Sequence, residues 1–161
     1  MKTAIVYYSM SNNTDYVAKR IAEIIDADLI RLIPKNEYPS TGFKKFYWGG
    51  KSAIMGEMPE LEPYDWYPST YDTIIFGSPV WASRFAPPIR TFINDNKDYL
   101  VGKKIGAFVC YSGGGADSAL KSLKELLNID EFKAELKVID PLDKKTDLKE
   151  QLIDNFIDKI Q

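Results

Sequence analysis

The fold of this chain is decided by the stretch Thr3-Ala4-Ile5-Val6-Tyr7-Tyr8-Ser9-Met10-Ser11-Asn12-Asn13-Thr14. Its first half is apolar, its second half consists mostly of small polar residues, and an amphipathic run begins at Asp15. The pattern predicts a buried strand that passes through a tight loop into a helix. The first N–H groups of a helix have no internal partner, and the helix dipole adds about half a positive charge there. The stretch therefore predicts an anion site.

The predicted loop has the chemistry of a phosphate site. Ser9, Ser11 and Thr14 can donate hydroxyl hydrogen bonds, and Asn12 or Asn13 can adopt a left-handed backbone conformation. The loop contains no Lys or Arg. This favours a phosphate monoester over a triphosphate, which normally needs a P-loop lysine and a metal. The alternative is a well-capped first helix that binds no ligand.

The composition indicates one soluble globular domain over residues 1–161. Hydrophobic residues make up 45% of the chain and charged residues 27%. The longest apolar run is far shorter than the roughly 18 residues of a membrane helix, so membrane insertion is not expected. Because Met1-Lys2-Thr3 leads directly into a strand, no signal peptide is expected, and the expected location is the cytoplasm.

The charged and reactive residues exclude several kinds of protein. A net charge of −2 and a pI near 5.3 give no basic footprint for nucleic acid. The chain has no histidine, which removes Ser-His and Cys-His catalysis and most transition-metal sites. The single cysteine, Cys110, lies in an apolar run and is expected to be a buried structural thiol. Any redox chemistry is therefore expected to depend on a bound cofactor.

Apolar runs alternate with helical patterns along the chain. Further strands are predicted at 28–33, 73–77, 104–111 and about 134–139, and a helix is predicted to begin at Pro87-Pro88. Apolar side chains recur at helical spacing in three other segments, and these stripes are expected to face the core: Val17, Ile21, Ile24, Ile25; Leu120, Leu123, Leu126, Leu127; and Leu148, Leu152, Phe156, Ile160. The alternation predicts a three-layer, doubly wound α/β fold. Its five-stranded parallel sheet has the order 2-1-3-4-5, with helices on both faces.

The connection between the second and third strands is unusually long, from Pro34 to Asp72. Residues 42–55 predict a helix interrupted at Gly49-Gly50, and residues 59–68 predict irregular structure. The cluster Phe46-Tyr47-Trp48 either packs this helix on the sheet or forms the wall of a planar ligand site.

Two further loops are expected beside the phosphate loop, because ligands bind where the strand order of a doubly wound sheet reverses. The first, Gly77 to Ser83, contains Trp81, which can stack on a flat heterocycle or can simply cap the sheet. The second, Ser112 to Asp117, contains three glycines that let the backbone approach a ring edge. A flexible turn capped by Asp117 is the alternative for the second loop.

These three loops resemble those of flavodoxin-like FMN-binding proteins of the short-chain type, from about residue 2 to the C-terminus. The family's phosphate loop reads Ser/Thr-x-Thr-Gly-x-Thr, and this chain has Ser9-x-Ser11-Asn12-x-Thr14, with Asn12 where glycine is usual. The run Gly77 to Trp81 resembles the loop that stacks on the isoalloxazine ring. Ser112 to Gly115 resembles the loop that contacts its pyrimidine edge.

The resemblance implies noncovalent FMN, no metal and no catalytic side chain. It implies that the phosphate loop holds the FMN phosphate, with Met10 near the ribityl chain or serving as an apolar plug, and that the other two loops hold the ring. The implied cofactor-binding residues are Ser9, Met10, Ser11, Asn12, Asn13, Thr14, Ser78, Pro79, Val80, Trp81, Ala82, Ser112, Gly113, Gly114, Gly115 and Asp117.

Ala82 follows the ring-stacking aromatic, where flavodoxins often have glycine. In the family, the peptide beside flavin N5 can flip when the flavin is reduced to the semiquinone, and the flipped turn needs positive φ, which alanine adopts at a cost of about 1–2 kcal/mol. The resemblance therefore implies a weakly populated semiquinone and a flavin better suited to two-electron than to one-electron transfer.

The resemblance leaves the function open between different classes. The first is an electron carrier that docks a reductase and an acceptor protein. The second is an FMN-dependent NAD(P)H oxidoreductase that reduces a quinone or a similar small acceptor, with Arg84 and Phe85 framing an entry unless Arg84 is a salt-bridged surface residue. A third is a flavin-binding domain with a regulatory role. The mild net charge counts against the carrier, whose relatives are strongly acidic, and the aromatic cluster 46–48 supports the enzyme.

Overall fold

The computed structural model describes residues 1–39, 49–143 and 147–161. The strands in this part of the chain are β1 (Thr3–Tyr7), β2 (Asp28–Arg31), β3 (Thr73–Trp81), β4 (Arg84–Phe85), β5 (Lys104–Tyr111) and β6 (Ala134–Ile139). The helices are α1 (Asn13–Ile25), α2 (49–54), α3 (Pro87–Leu100), α4 (Ala116–Leu127) and α5 (Asp147–Ile160), with a short 3₁₀ turn at Pro68–Thr70.

The sheet has the order β2-β1-β3-β5-β6, and all of these neighbours are parallel. The two-residue strand β4 pairs antiparallel with the end of β3 only. Without this small addition, the five parallel strands follow the predicted order 2-1-3-4-5. The predicted doubly wound fold is therefore confirmed, and its strand order reverses between β1 and β3.

The sheet is covered on both faces, as successive side chains of β1 illustrate. Ala4 and Val6 face a core that contains the apolar sides of α3 and α4. Ile5 and Tyr7 face a second core that contains α1 and α5. Because both faces are buried, the inner strands β1, β3 and β5 are mainly apolar, whereas the edge strand β6 alternates buried and exposed residues.

Parts of two predicted helix stripes lie outside the core. Ile24 of α1 is 41% exposed, and Leu148 of α5 is 61% exposed. On α5 the buried face contains Ile153 and Ile157 beside the predicted Phe156 and Ile160. The face is set by how the helix lies on the sheet, which apolar spacing alone does not determine.

The long connection after β2 folds back on its own beginning. Pro34 and Leu61 form an antiparallel bridge, and the neighbouring backbone hydrogen bonds are 2.7 and 2.9 Å long. Residues 59–67 are otherwise irregular, as predicted. Gly49 and Gly50 are both helical, so the predicted interruption at this pair is wrong. The cluster Phe46-Tyr47-Trp48 lies outside the described residues.

Within the described ranges, no helix is both long enough and apolar enough to span a membrane.

Candidate functional site

The anion loop joins the carboxyl end of β1 to the first turn of α1. Asn12 has φ 66°, which confirms that it takes the left-handed position where the family usually has glycine. The Ser9 hydroxyl accepts the N–H of Asp15 at 3.1 Å, and the Asn12 carbonyl accepts the N–H of Tyr16 at 3.0 Å. Among the described residues, the N–H groups of 11–14 have no protein acceptor. The loop therefore presents free donors at a helix N-terminus, which is the chemistry of a phosphate site.

A charged cluster centred on the buried Asp15, which the sequence analysis missed, lies behind the loop. The Tyr7 hydroxyl donates to Asp15 at 2.7 Å, and Arg31 donates both to Asp15 at 3.3 Å and to the Ser9 carbonyl at 3.2 Å. Lys19 lies 2.7 Å from the other carboxylate oxygen of Asp15. These contacts join Tyr7 of β1, Asp15 of α1 and Arg31 of β2, and so they position the loop between β1 and α1.

The ionisation of this cluster follows from its contacts. Burial would raise the pKa of Asp15, but hydrogen bonds from Lys19 and Tyr7 and the charges of Arg31 and Lys19 outweigh it, so the pKa lies below its usual value. Burial and the hydrogen bond to Asp15 raise the pKa of Tyr7. Asp15 is thus a carboxylate, and Tyr7 a neutral donor, at ordinary pH.

The segment predicted as a ring-stacking loop is a β-hairpin. β3 continues past the predicted end at Gly77 as far as Trp81, which pairs with Arg84, and the turn consists of Ala82 and Ser83. Both turn residues have positive φ, 48° and 61°. A two-residue hairpin turn requires this conformation, which costs a non-glycine residue about 1–2 kcal/mol. Ala82 therefore already holds the conformation that was predicted to be costly.

Ser78 and Phe85 support this hairpin from inside the protein. The Ser78 hydroxyl is buried, donates to the Pro79 carbonyl at 2.8 Å and accepts the N–H of Ala86 at 2.8 Å. Phe85 is a core residue, so it does not frame an entry for a second substrate. Arg84 is exposed and donates to the Ser122 hydroxyl at 3.0 Å, without a salt bridge to any residue that the structure describes.

Trp81 packs against the core, which is one of the two roles that its sequence context left open. Its ring meets Tyr8 and Tyr38 nearly edge to face, with centroids 5.5 and 5.2 Å apart. Gly49 of α2 lies over the same ring, where a Cβ would be 3.1 Å from Trp81 Cε3. Trp81 is thus packed against the core and also lines the cavity described below.

The glycine loop after β5 contains one structurally constrained glycine. Gly115 has φ 87°, and a Cβ built on it would be 2.6 Å from the Ser83 hydroxyl oxygen. A Cβ on Gly113 or Gly114 would have no described atom within 4 Å. Asp117 points away from this loop, since its exposed carboxylate pairs with Lys137 at 2.7 Å.

The three loops meet around a cavity of about 400 Å³. Nine of the predicted site residues line it: Ser11, Asn13, Pro79, Val80, Trp81, Ala82, Ser112, Gly113 and Gly114. The other seven are not among its lining residues: Ser9, Met10, Asn12, Thr14, Ser78, Gly115 and Asp117. Met10 lines a neighbouring cavity of about 270 Å³ with Tyr8 and Tyr38.

A fourth wall of the cavity comes from the loop after β6, which the sequence analysis did not include. Asp140 and Pro141 line the cavity beside Gly50 and Tyr111. Asn13 connects this wall to the anion loop, because its side-chain oxygen accepts the N–H of Leu142 at 3.1 Å and its amide donates to Ser11 at 3.3 Å. The sequence did offer a signal for this wall, because Asp140 and Pro141 follow the carboxyl end of β6, which is parallel and adjacent to β5.

Cys110 lies at the edge of the same cavity and is buried, as expected. Burial raises the pKa of its thiol to about 12, and a hydrogen bond with Thr14 acts in the opposite direction. Thr14 itself is 1% exposed. The thiol is therefore neutral at ordinary pH and is not a nucleophile.

The sequence matches the family model described as Flavodoxin over residues 2–155. Solved structures with a similar fold include a flavoprotein in complex with FMN from Lactobacillus acidophilus NCFM, with 27% identity, a TM-score of 0.68 and coverage of 86% of this chain and 91% of that one. A putative flavoprotein from Bacteroides eggerthii DSM 20697 has 21% identity, a TM-score of 0.77 and coverage of 99% and 97%. Oxidised Flavodoxin 1 from Bacillus cereus has 20% identity, a TM-score of 0.63 and the same two coverages. No curated protein sequence matches the chain.

Proposed function

The chain belongs to the flavodoxin family, and on this basis we propose that it binds FMN noncovalently and carries electrons between a reductase and an acceptor protein. The observation that carries the proposal is the meeting of the anion loop, the hairpin and the glycine loop around one cavity. An anion site beside an aromatic wall matches a ligand with one phosphate and one planar ring.

The phosphate end of the cavity fits FMN in its donor chemistry. The N–H groups of residues 11–14 have no acceptor in the described protein, and Ser11 is exposed at the cavity wall. Asn12 turns the backbone so that these donors follow one another into α1. A phosphate monoester would satisfy the free N–H groups and interact favourably with the helix dipole.

The ring end fits FMN in size and in the nature of its walls. A volume of about 400 Å³ lies in the range of small-molecule sites. Val80 and Trp81 provide apolar and aromatic surface, and Gly113 and Gly114 leave room beside their backbone. When bound, FMN supplies the redox chemistry, so the protein's own contribution is to bind and orient it.

The similar flavoprotein from Lactobacillus acidophilus was solved with FMN, which supports the same cofactor for this chain. The rim of the cavity supports a carrier, because Ala82, Ser83, Ser112, Gly113 and Gly114 are all exposed. A cofactor held between these loops would remain within reach of a docked protein.

A second candidate is an FMN-dependent NAD(P)H oxidoreductase that reduces a quinone or a similar small acceptor. The exposed Arg84 favours it, since its guanidinium follows the hairpin turn at the rim and has no salt bridge within the described chain. An exposed guanidinium without a carboxylate partner among the described residues, two positions after the cavity-lining Ala82, suits the phosphates of a nicotinamide dinucleotide.

Purification without added cofactor tests the proposal. We expect a yellow protein that releases FMN, and not FAD, on denaturation, and whose reduced form passes electrons to a carrier-dependent acceptor. A colourless protein that also fails to quench added FMN fluorescence would contradict FMN binding. Rapid NADH or NADPH oxidation with a quinone and without a separate reductase would favour the oxidoreductase.

A further inference from the structure

We propose that Lys149 is a positioning residue whose buried ammonium adds positive charge behind the wall of the FMN cavity at Pro141, in addition to the charges of Arg31 and Lys19 beside the anion loop. The inference rests on the proposed function, and it assigns a specific electrostatic role to a residue far from the anion loop in sequence. The loop itself contains no cation.

Lys149 is an unusual lysine because it is only 8% exposed. Its ammonium donates to the Pro141 carbonyl at 2.7 Å and lies 4.5 Å from the centroid of the Tyr16 ring. None of the salt bridges among the described residues involves it. A carbonyl oxygen and an aromatic face therefore provide the described contacts of this buried ammonium, whose removal from water is costly.

The contacts of Lys149 place it directly behind the cavity. Pro141 is itself a lining residue of the cavity, and Leu142 is hydrogen-bonded to Asn13 of the anion loop. Tyr16 belongs to the first turn of α1, where the free N–H groups lie. Lys149 therefore contacts the fourth wall and the phosphate-binding helix at the same time.

Two acids near Lys149, Glu150 and Asp15, are paired with other partners. Glu150 accepts from Arg20 at 2.9 Å and from Tyr16 at 3.1 Å, and Asp15 is held by its own cluster. Lys149 contributes to the low pKa of Glu150 only after the Arg20 and Tyr16 hydrogen bonds. Its charge is thus free to offset Asp140, the carboxylate in the cavity wall, and to attract a phosphate through a low-dielectric interior.

The position of Lys149 is also unfavourable for the stability of the folded chain. It lies in the first turn of α5, where the helix dipole disfavours a cation. Burial without a carboxylate partner among the described side chains adds a second cost. Both effects disfavour Lys149 in the folded chain. Attraction of a phosphate at the nearby anion site would account for a lysine at this position.

The test compares FMN with riboflavin, which lacks the phosphate, in titrations of apoprotein. For Lys149→Met we expect FMN affinity to fall about tenfold and riboflavin affinity to stay within about twofold. We expect the unfolding midpoint to be unchanged or raised, because a buried charge is replaced by an apolar side chain. The matched control is Lys104→Met, which removes one positive charge at the opposite end of the sheet and should change neither affinity.

Lys149→Arg and Lys149→Gln separate charge from packing, and they keep the test informative if the methionine variant folds poorly. The arginine variant should retain the preference for FMN over riboflavin, and the glutamine variant should lose it. Equal losses for both ligands, or no loss for either, would show that Lys149 only holds the wall and would overturn the proposal. Wild-type protein that binds riboflavin and FMN equally would overturn it too, whereas wild-type protein that binds neither would overturn FMN binding itself.

Discussion

Gly115 at the start of α4 lies against Ser83 in the hairpin turn, so closely that a Cβ on Gly115 would be 2.6 Å from the Ser83 hydroxyl oxygen and 2.8 Å from its Cα. Two loops that are far apart in sequence therefore form one packed unit at the cavity rim. Gly115 also has φ 87°, so its conformation and its contact both require glycine.

Gly115→Ala should lower the free energy of unfolding by about 2–4 kcal/mol, because it adds backbone strain to a clash with Ser83. Chemical denaturation of the apoprotein measures this loss. Gly113→Ala is the matched control: its Cβ meets no described atom, so stability should change by less than about 0.5 kcal/mol. FMN affinity should nevertheless fall in Gly113→Ala, since the methyl group narrows the cavity. Equal stability losses in both variants would contradict the packed rim.

Ala82→Gly should raise the free energy of unfolding by about 0.5–1 kcal/mol. Glycine removes the strain of φ 48° at Ala82, and this gain exceeds the added entropy of the unfolded chain. Ala22→Gly, in the interior of α1, should instead destabilise by about 1 kcal/mol. Thermal and denaturant unfolding of both variants give the comparison. A loss of stability in Ala82→Gly would show that the turn is not strained.

Ser11→Ala should lower FMN affinity about tenfold, because a hydrogen bond to a charged group contributes about 1.5–3 kcal/mol. Riboflavin affinity should change much less, since only FMN has the phosphate. Fluorescence titration of apoprotein with each flavin measures both values. Thr14→Val is the companion variant, and it tests whether the buried Thr14 hydroxyl turns from Cys110 to the phosphate. Parallel losses for the two flavins would place Ser11 away from the phosphate.

The Asp15 cluster should make the protein sensitive to acid. The pKa of Asp15 is lower in the folded chain than its usual value of about 3.9, so its stabilising effect is present above that value and is lost as pH falls through the folded pKa. The melting temperature should therefore drop below about pH 4. Asp15→Asn should be less stable by about 1–3 kcal/mol at pH 7 and should show a shallower acid dependence. Identical acid profiles for the two proteins would exclude Asp15 as a source of the effect.

The sequence predicted the parallel strands and their order well, because buried strands such as 104–111 read as continuous apolar runs between helical patterns. It predicted the left-handed Asn12 for a local reason, the shape of the turn itself. Two predicted site residues that do not line the cavity have distant partners. The Ser78 hydroxyl accepts the N–H of Ala86, which follows the hairpin, and the Asp117 carboxylate forms a salt bridge with Lys137.

The features that the sequence analysis missed are also set by tertiary contacts. Arg31 reaches the anion loop from β2, and the wall at Asp140 and Pro141 reaches it through Asn13. No sequence motif marks Arg31 or the wall at Asp140 and Pro141, since the contacts that bring them to the site join residues at least 16 positions apart. Local patterns thus define the elements and the loops, whereas the second layer of the site requires the packed structure.

Cys110 gives the protein a chemical reporter of access to its cavity. It is the single cysteine of the chain, it is buried at the cavity edge, and its thiol is neutral at ordinary pH. A thiol reagent that enters the cavity should react with it only slowly, because the thiol is almost fully buried and neutral. The labelling rate of the wild-type chain thus reports on access to the cavity, and a ligand bound there would slow the reaction in proportion to its occupancy.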